Sequence, residues 1–562
     1  MRKRNSILLL GILFLSACQP AELPITLRIN WGADPDTLDP ALVEDEAGKN
    51  VIHNLFVGLT QYHPETNEVL PSLATTWEFS EDVQEVTFYL RRDIPWVRYD
   101  PENGEVQQVL DGEGAPRFVN AYDVEYAILR SLGLEGRSSK AAPLEIIAGI
   151  EVVNPSVIKF RLKEPAAYFP ALMALWPAWP LPQWAVEEHG GEWTTPAHII
   201  TSGPYLLDTW THGNQLILVK NPLWVGAESV QIERVEGVFE LDYSKALHLF
   251  DSHDVEDTPM DVDTLFRRHH WIFDFELARQ TEIINYPCIY YYGFNNQKYP
   301  FTDRNVRAAF SMAIDRQLLI DGVLKGGQFP ATSFVPSNIP GGGELGQVGY
   351  GFDPDSAQKA LQVFLDQEGL TLDEFNSIGI TLLHNTSEGH ARIAAAIGQM
   401  WLDNLGVEVK VEFKPWEEYL ITLENTTPIE RSPHIFRMGW CPDYPDENDW
   451  LHEVFNTEAG LNRLRRNCSD PDCGISVASQ FDKLTFSAGK ETHGEKRKDL
   501  YREAERIIIE EEVAFVPIFY YSQLYLTKPW LTRNYPTFGG YDIWNWHINV
   551  FEQIMGRGAE AD

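Results

Sequence analysis

Residues 436–449, FRMGWCPDYPDEND, place an arginine, a tryptophan, a cysteine and four carboxylates within fourteen positions. Ile435-Phe436 reads as part of a buried strand, and Pro442, Pro445 and Asn448 read as its exit into a turn-rich loop. A strand that ends on Asp443 just after Trp440 can hold one carboxylate against a ring in a dry place. Such a place suits an ammonium group, because charge pairing strengthens at low dielectric and the ring face attracts a cation. Arg437 lies six residues before Asp443, so one segment carries both signs. The competing reading is a solvated acidic loop after a core strand. A calcium site built from Asp443, Asp446, Glu447 and Asp449 is disfavoured, since the prolines and the missing glycine depart from an EF-hand loop. There is no Gly-x-Ser-x-Gly elbow and no His-Glu-x-x-His, and His269-His270 stands as an isolated pair among charged residues. The expectation is a binding protein, not an enzyme, with no metal and no cofactor.

The ends of the chain place that segment outside the cytoplasm. Arg2, Lys3 and Arg4 precede an apolar run from Ile7 to Leu15 that is too short for an ordinary membrane span. Leu15-Ser16-Ala17-Cys18 resembles a bacterial lipobox, in which the cysteine becomes the lipidated first residue after residues 1–17 are removed. The mature chain is then tethered by lipid outside the cytoplasmic membrane, periplasmic or at the cell surface. Cys288, Cys441, Cys468 and Cys473 remain, an even number in an exported chain, which suggests disulfides. Cys468 and Cys473 flank Ser-Asp-Pro-Asp, turn chemistry that can close a small loop. That leaves Cys288 for Cys441, and a four-cysteine zinc site competes weakly because no Cys-x2-Cys pair is present. The net charge is −37, and loss of the three basic and no acidic residues of the leader takes it to −40. Nucleic acid and anionic membrane surfaces are disfavoured as partners.

The 562 residues imply two or more domains. Leu27 to Trp31 reads as a first strand, and Asn50 to Leu59 carries apolar residues at helical spacing. Val86 to Arg91 alternates as a strand. Tyr99 to Pro116 is polar and Gly-containing, an inserted hairpin or loop. Asn120 is a helix N-cap candidate before an amphipathic run to Leu132, and Asp303 is another. Further on, Ile380 to Leu383, Ala391 to Asn404 closed by Gly406, and Val407 to Phe413 form a strand–helix–strand unit. Glu503 to Glu511 reads as a helix and Phe515 to Tyr521 as the strand after it.

The order of several short segments resembles the large solute-binding proteins of bacterial ABC importers, in the peptide/nickel class. The segments are Leu38-Asp39-Pro40, Pro71 to Trp77, Phe88 to Arg91, Ala121-Tyr122-Asp123-Val124, Gly203-Pro204-Tyr205 and Asn221-Pro222. The run Tyr290 to Lys298, then Pro300 to Asp303 and Ala313 to Arg316, extends the match over nearly the whole mature chain. Leu383 to His390, Asn404 to Val407 and Met438 to Tyr444 resemble the oligopeptide-binding subgroup in particular. The resemblance implies that Asp443 holds a peptide's α-ammonium, and that Arg437 or His390 meets its carboxylate. Main-chain groups at Gly439, at Cys441 and near Glu46 would bond the peptide as an added strand. Trp440 and Asn385 belong to the same motifs, and Trp416 would line a side-chain pocket. The resemblance also pairs Cys288 with Cys441. The subgroup's second carboxylate-binding arginine is replaced here by Leu423.

The implied architecture is α/β, two-lobed and three-domain, a periplasmic-binding-protein-like fold with a hinge between the lobes. Residues 18–26 would be a tether and 27–56, 198–287 and 522–562 a discontinuous domain I. Residues 57–197 would form domain II and 288–521 domain III. The implied partners are an oligopeptide, ABC permease subunits with cytoplasmic ATPases, and the membrane through the lipid on Cys18. No nucleic acid is expected, and the chain should be a monomer. The same fold also serves nickel chelates, haem and oligosaccharides, since fold does not fix ligand. Thiol labelling with peptide mapping should find no free thiol among Cys288, Cys441, Cys468 and Cys473 and a Cys288–Cys441 peptide. A Cys288–Cys468 link, or two free thiols, would refute the pairing.

Overall fold

The computed structural model describes residues 24–134, 136–260, 275–343, 346–424, 426–457, 463–466 and 476–558. The leader, Cys18, His269-His270, Cys468 and Cys473 lie outside those residues.

One sheet of eleven strands organises the molecule. In chain order its strands are β1 (Thr26–Asn30), β2 (Tyr205–Thr211), β3 (Gln215–Lys220), β4 (Arg234–Val238), β5 (Asp257–Met260), β6 (Thr281–Phe294), β7 (Phe329–Pro330), β8 (Thr381–Asn385), β9 (Lys410–Lys414), β10 (Ile435–Trp440) and β11 (Phe515–Thr527). Their spatial order is β2-β3-β4-β1-β5-β11-β6-β10-β8-β9, with β7 beside β11. β1 runs parallel to β4 and β5, and β8 parallel to β9 and β10; β6 is antiparallel to both of its neighbours. Parallel pairs need crossovers, and helices such as α3 (Glu388–Leu405), between β8 and β9, supply them.

The apolar side chains form two lobes. One core draws on residues 27–235 and 525–548, joined by Tyr444. It includes a second, antiparallel sheet in the order 74–79, 85–90, 157–162, 147–154, through Val86, Phe88, Ile158 and Phe160. The other lobe holds two clusters, drawn from residues 289–520. β6 and β11 run through both lobes. Residues 281–285 of β6 pair with 522–526, residues 289–293 pair with 515–520, and the register slips between them. Tyr286-Pro287-Cys288 occupies the slip, and such a local break bends a paired strand.

Local signals set most of the boundaries. Asn120 caps α2 (Ala121–Gly133) with a full capping box closed by Asp123, and Asp303 caps the helix Arg304–Met312. α3 ends where Gly406 takes φ 70°, a left-handed conformation that costs glycine little. Gly293 is required for a different reason: a Cβ there would lie 2.2 Å from the ring of Phe436 on β10. The first helix, α1, spans Glu46–Leu55 rather than 50–59, because Asp45 accepts the Gly48 N–H and starts it a turn earlier. The 99–116 insertion is a hairpin, with strand Val97–Asp100 paired to Glu105–Gln108. β11 continues six residues past Tyr521, because pairing with β5 and β6 extends it into the other lobe.

Glu505 lies on the inner side of the helix Gly494–Arg506 and accepts the main-chain N–H groups of Phe334 (2.7 Å) and Val335 (2.9 Å). Burial pushes its carboxyl up to about 7. A raised acid is stabilising while protonated, so the contribution is complete below the unfolded pKa of 4.5 and is lost as pH rises through about 7. Glu505→Gln should flatten that part of the stability–pH curve. The wild type should lose up to roughly 3 kcal/mol relative to the variant between pH 4.5 and 8, measured by urea unfolding.

Candidate functional site

The site grows from the register of β10 on β6. Trp440 lies opposite Ile289, Gly439 opposite Tyr290 and Arg437 opposite Tyr292. One residue beyond β10, Cys441 is joined to Cys288 in a disulfide, so the exit of the strand is tied to the slip in β6. The chain then passes Pro442 and Asp443 and turns back through Asn448–His452. Asp449, on that turn, accepts the main-chain N–H of Asp443 at 3.0 Å and the Trp440 indole N–H at 3.2 Å. Both ends of the short segment carrying Asp443 are therefore fixed.

The carboxylate of Asp443 faces the other lobe. Lys140 donates to its Oδ1 at 2.8 Å and to the Pro442 carbonyl at 3.0 Å. One ammonium, held by one carboxylate and one carbonyl, bridges the two lobes. Asp443 is not in the dry place its sequence context suggests, for its side chain is 43% exposed. The dry carboxylate is Asp449, 2% exposed, whose carboxyl is held well above the usual range by burial and next by the charge of Asp443. Around them lies a cavity of about 480 Å³ whose walls include Tyr168, Trp440, Tyr444 and Glu453.

A second group carries positive charge. Arg437 lies over the Tyr290 ring, 4.7 Å from its centroid, and donates to the Tyr521 hydroxyl at 3.1 Å. Its Nε is buried and has no hydrogen-bond partner among the described residues. His390, in the first turn of α3, has its ring 5.6 Å from Tyr290. Burial and then the charge of Arg437 push it down to about 4, so it is neutral at pH 7. Asn385 ends β8, and its buried Oδ1 is unpartnered. Arg437 and His390 thus flank the same tyrosine.

Two smaller cavities complete the cleft. One, of about 260 Å³, is lined by Trp416, Leu420, Met438, Gly439, Trp440 and Arg463, among others. Trp416 is 48% exposed and stacks on Tyr419. A side chain at Gly439 would press on the Ile289 carbonyl, 3.0 Å from its Cβ. The other cavity, about 200 Å³, places Glu46 and Lys140 opposite Cys288 and Cys441. The Glu46 carboxylate itself engages Lys49 at 2.6 Å.

Lys140, Tyr290, Tyr521 and Asp449 belong to the site and were missed as such from the sequence. Lys140 had no local signal, since its partner is 303 residues away. Asp446 is 8% exposed and takes two bonds from Arg497, at 2.8 and 2.5 Å. With Asp446 so engaged, the four acids of the loop do not converge. Among the described residues no group of three or more metal-capable side chains is formed.

Residues 68–462 match the family described as bacterial extracellular solute-binding proteins, family 5. The match covers well over half of the chain, which therefore belongs to that family. Over 93% of its length it is 28% identical to the periplasmic oligopeptide-binding protein OppA of Salmonella typhimurium, covering 94% of that protein. It is 30% identical to the periplasmic murein peptide-binding protein MppA of Escherichia coli, covering 90% of this chain and 89% of that one. The unliganded open form of MppA superposes with a TM-score of 0.77 at 26% identity, over 93% of this chain and 97% of that one. A second structure of the Escherichia coli protein gives 0.58 at 26% identity, over 93% and 98%. The α/β, two-lobed binding-protein fold expected from the sequence is the fold of the chain.

Asp446→Asn removes one member of a buried, doubly bonded ion pair and leaves Arg497 without its partner. Unfolding experiments should show a loss of about 3–5 kcal/mol. A change within about 0.5 kcal/mol would mean the pair contributes nothing to the fold.

Proposed function

We propose that the chain is the peptide-capturing component of an ABC importer, held outside the cytoplasmic membrane by lipid on Cys18. It binds an oligopeptide between the lobes, gripping the α-ammonium at Asp443 and the carboxylate at Arg437 or, for another peptide length, His390. Gly439, Cys441 and the main chain near Glu46 bond the peptide backbone, and the cavity beside Trp416 takes a side chain with room to spare. In this reading domains I and II make up one lobe and domain III the other. The monomer closes on its ligand at 286–288 and presents the closed form to the permease subunits and their ATPases.

The observation that carries this reading is the ammonium already at Asp443. Lys140 occupies the position a peptide's terminus would take, with a carboxylate and a carbonyl as partners. The likeness to the unliganded open form of MppA supports the same state for this chain. A peptide exchanges Lys140 for its own ammonium, and a ligand without an amine leaves Lys140 in place. One relative, 26% identical, is a probable deoxycholate-binding periplasmic protein, so the solute itself needs testing.

Titration calorimetry with a free tripeptide and its N-acetylated form tests the ammonium grip. Asp443→Asn should weaken the free peptide by about 2–5 kcal/mol, roughly thirtyfold or more, and the acetylated one little. Lys140→Met removes the internal competitor and should leave free-peptide binding unchanged or tighter. Equal losses for both peptides in Asp443→Asn would overturn the grip and favour an amine-free solute.

A further inference from the structure

The last helix, α4 (Val550–Gly558), packs with its polar side inward. Gln553 is 6% exposed and donates to the fully buried Glu256 at 2.7 Å and to the Thr26 carbonyl at 3.1 Å. Arg557 reaches the same Glu256 oxygen at 2.7 Å. Gly556 lets the helix approach so closely that a Cβ there would lie 2.3 Å from the Trp530 ring. The outward side is apolar: Phe551, Ile554 and Met555 are 73%, 63% and 59% exposed. They occupy positions i, i+3 and i+4, one stripe of a helix, and Val550 extends it. A surface helix ordinarily presents the reverse arrangement, apolar side to the core. Here the polar side is already satisfied by the fold, so the apolar stripe is left for something outside it.

We propose that this stripe lies in the surface of the membrane that holds the lipidated Cys18. The inference rests on the reading of Cys18 as the lipid anchor, and the position of α4 supplies the rest. Gln553 is bonded to Thr26, the eighth residue after Cys18. Eight residues reach at most about 29 Å even when fully extended. The stripe is therefore confined near the bilayer at high local concentration. The chain's net charge of −37 excludes attraction to anionic headgroups, and Glu552 next to the stripe adds to that. The contact is thus apolar in origin, suited to uncharged headgroups and insensitive to salt.

The test uses the mature chain carrying Cys18→Ser, so that no lipid contributes, floated with phosphatidylcholine vesicles at low and high salt. A fraction should rise with the vesicles at both salt concentrations. The triple variant Phe551→Ser, Ile554→Ser, Met555→Ser should lower the partition coefficient at least tenfold while melting at the same temperature, because none of the three is buried. A chain that stays below the vesicles, or a triple variant that floats equally well, overturns the inference. So does a concentration-dependent dimer that the triple variant abolishes, since a second copy then covers the stripe. Intact mass of the wild-type chain from producing cells separates the two ideas. An unacylated Cys18 refutes the tether, whereas an acylated chain whose helix ignores vesicles refutes the helix contact alone.

Discussion

The pairing of β6 with β11 is the constraint on which the rest of the molecule depends. Both strands start in one lobe and finish in the other, and their register breaks at 286–288 and shifts once more between Tyr290 and Tyr291. Everything in the cleft is placed relative to that slip. β10 is registered on the far half of β6, which sets Arg437 against Tyr290 and, across the sheet, within reach of Tyr521 on β11. The Cys288–Cys441 bridge ties the exit of β10 to the slip itself. A bend there moves Lys140 and Glu46 relative to Asp443, whereas the contact of Arg437 with Tyr290 lies on one side of it. The proposed closing motion and a rigid carboxylate site are thus compatible within one sheet.

Electrostatics assign different tasks to the acids of the site. Asp449 is buried beside Asp443, and two carboxylates so placed cannot both stay charged cheaply. Burial and repulsion raise the inner one, which then serves as an acceptor for the Trp440 indole and the Asp443 main chain. The outer one faces the other lobe and meets the Lys140 ammonium. Likewise Arg437 and His390 are two cationic side chains in one place, and the histidine gives way, pushed down to about 4. An incoming carboxylate would oppose that shift, so His390 becomes a better partner as the anion arrives.

Much of this was legible in the sequence where the cause was local. Asn120, Asp303 and Gly406 mark helix ends because their side chains or backbone freedom act within three residues. The Trp440–Asp443 stretch was visible because its residues are adjacent. The length of β11 was not, since partners 237 to 270 residues away extend it. Nor was the burial of Asp446, which depends on Arg497 in a later helix. The dry carboxylate proved to be Asp449 rather than Asp443, because a turn folding back six residues later decides which acid meets water. An acidic cluster fixes that a cation will be held, but only the tertiary turn fixes by which carboxylate.

The Lys140 bridge also bears on selectivity. If binding created a new ion pair at Asp443, the gain would be the full attraction less desolvation. Because Lys140 already satisfies that carboxylate, an arriving ammonium gains only the difference between the two pairs. That difference grows with enclosure, since the Lys140–Asp443 pair is partly exposed, at 24% and 43%, while a terminus held between closed lobes loses its water. On the proposed reading an amine would therefore favour the closed state more than the open one, which is the condition for a ligand to shift the equilibrium at all. A solute lacking an amine leaves the lysine in place, bridging the lobes in the open arrangement. The same lysine that lowers the net affinity for every peptide would in this way make closure depend on the ligand having a free terminus.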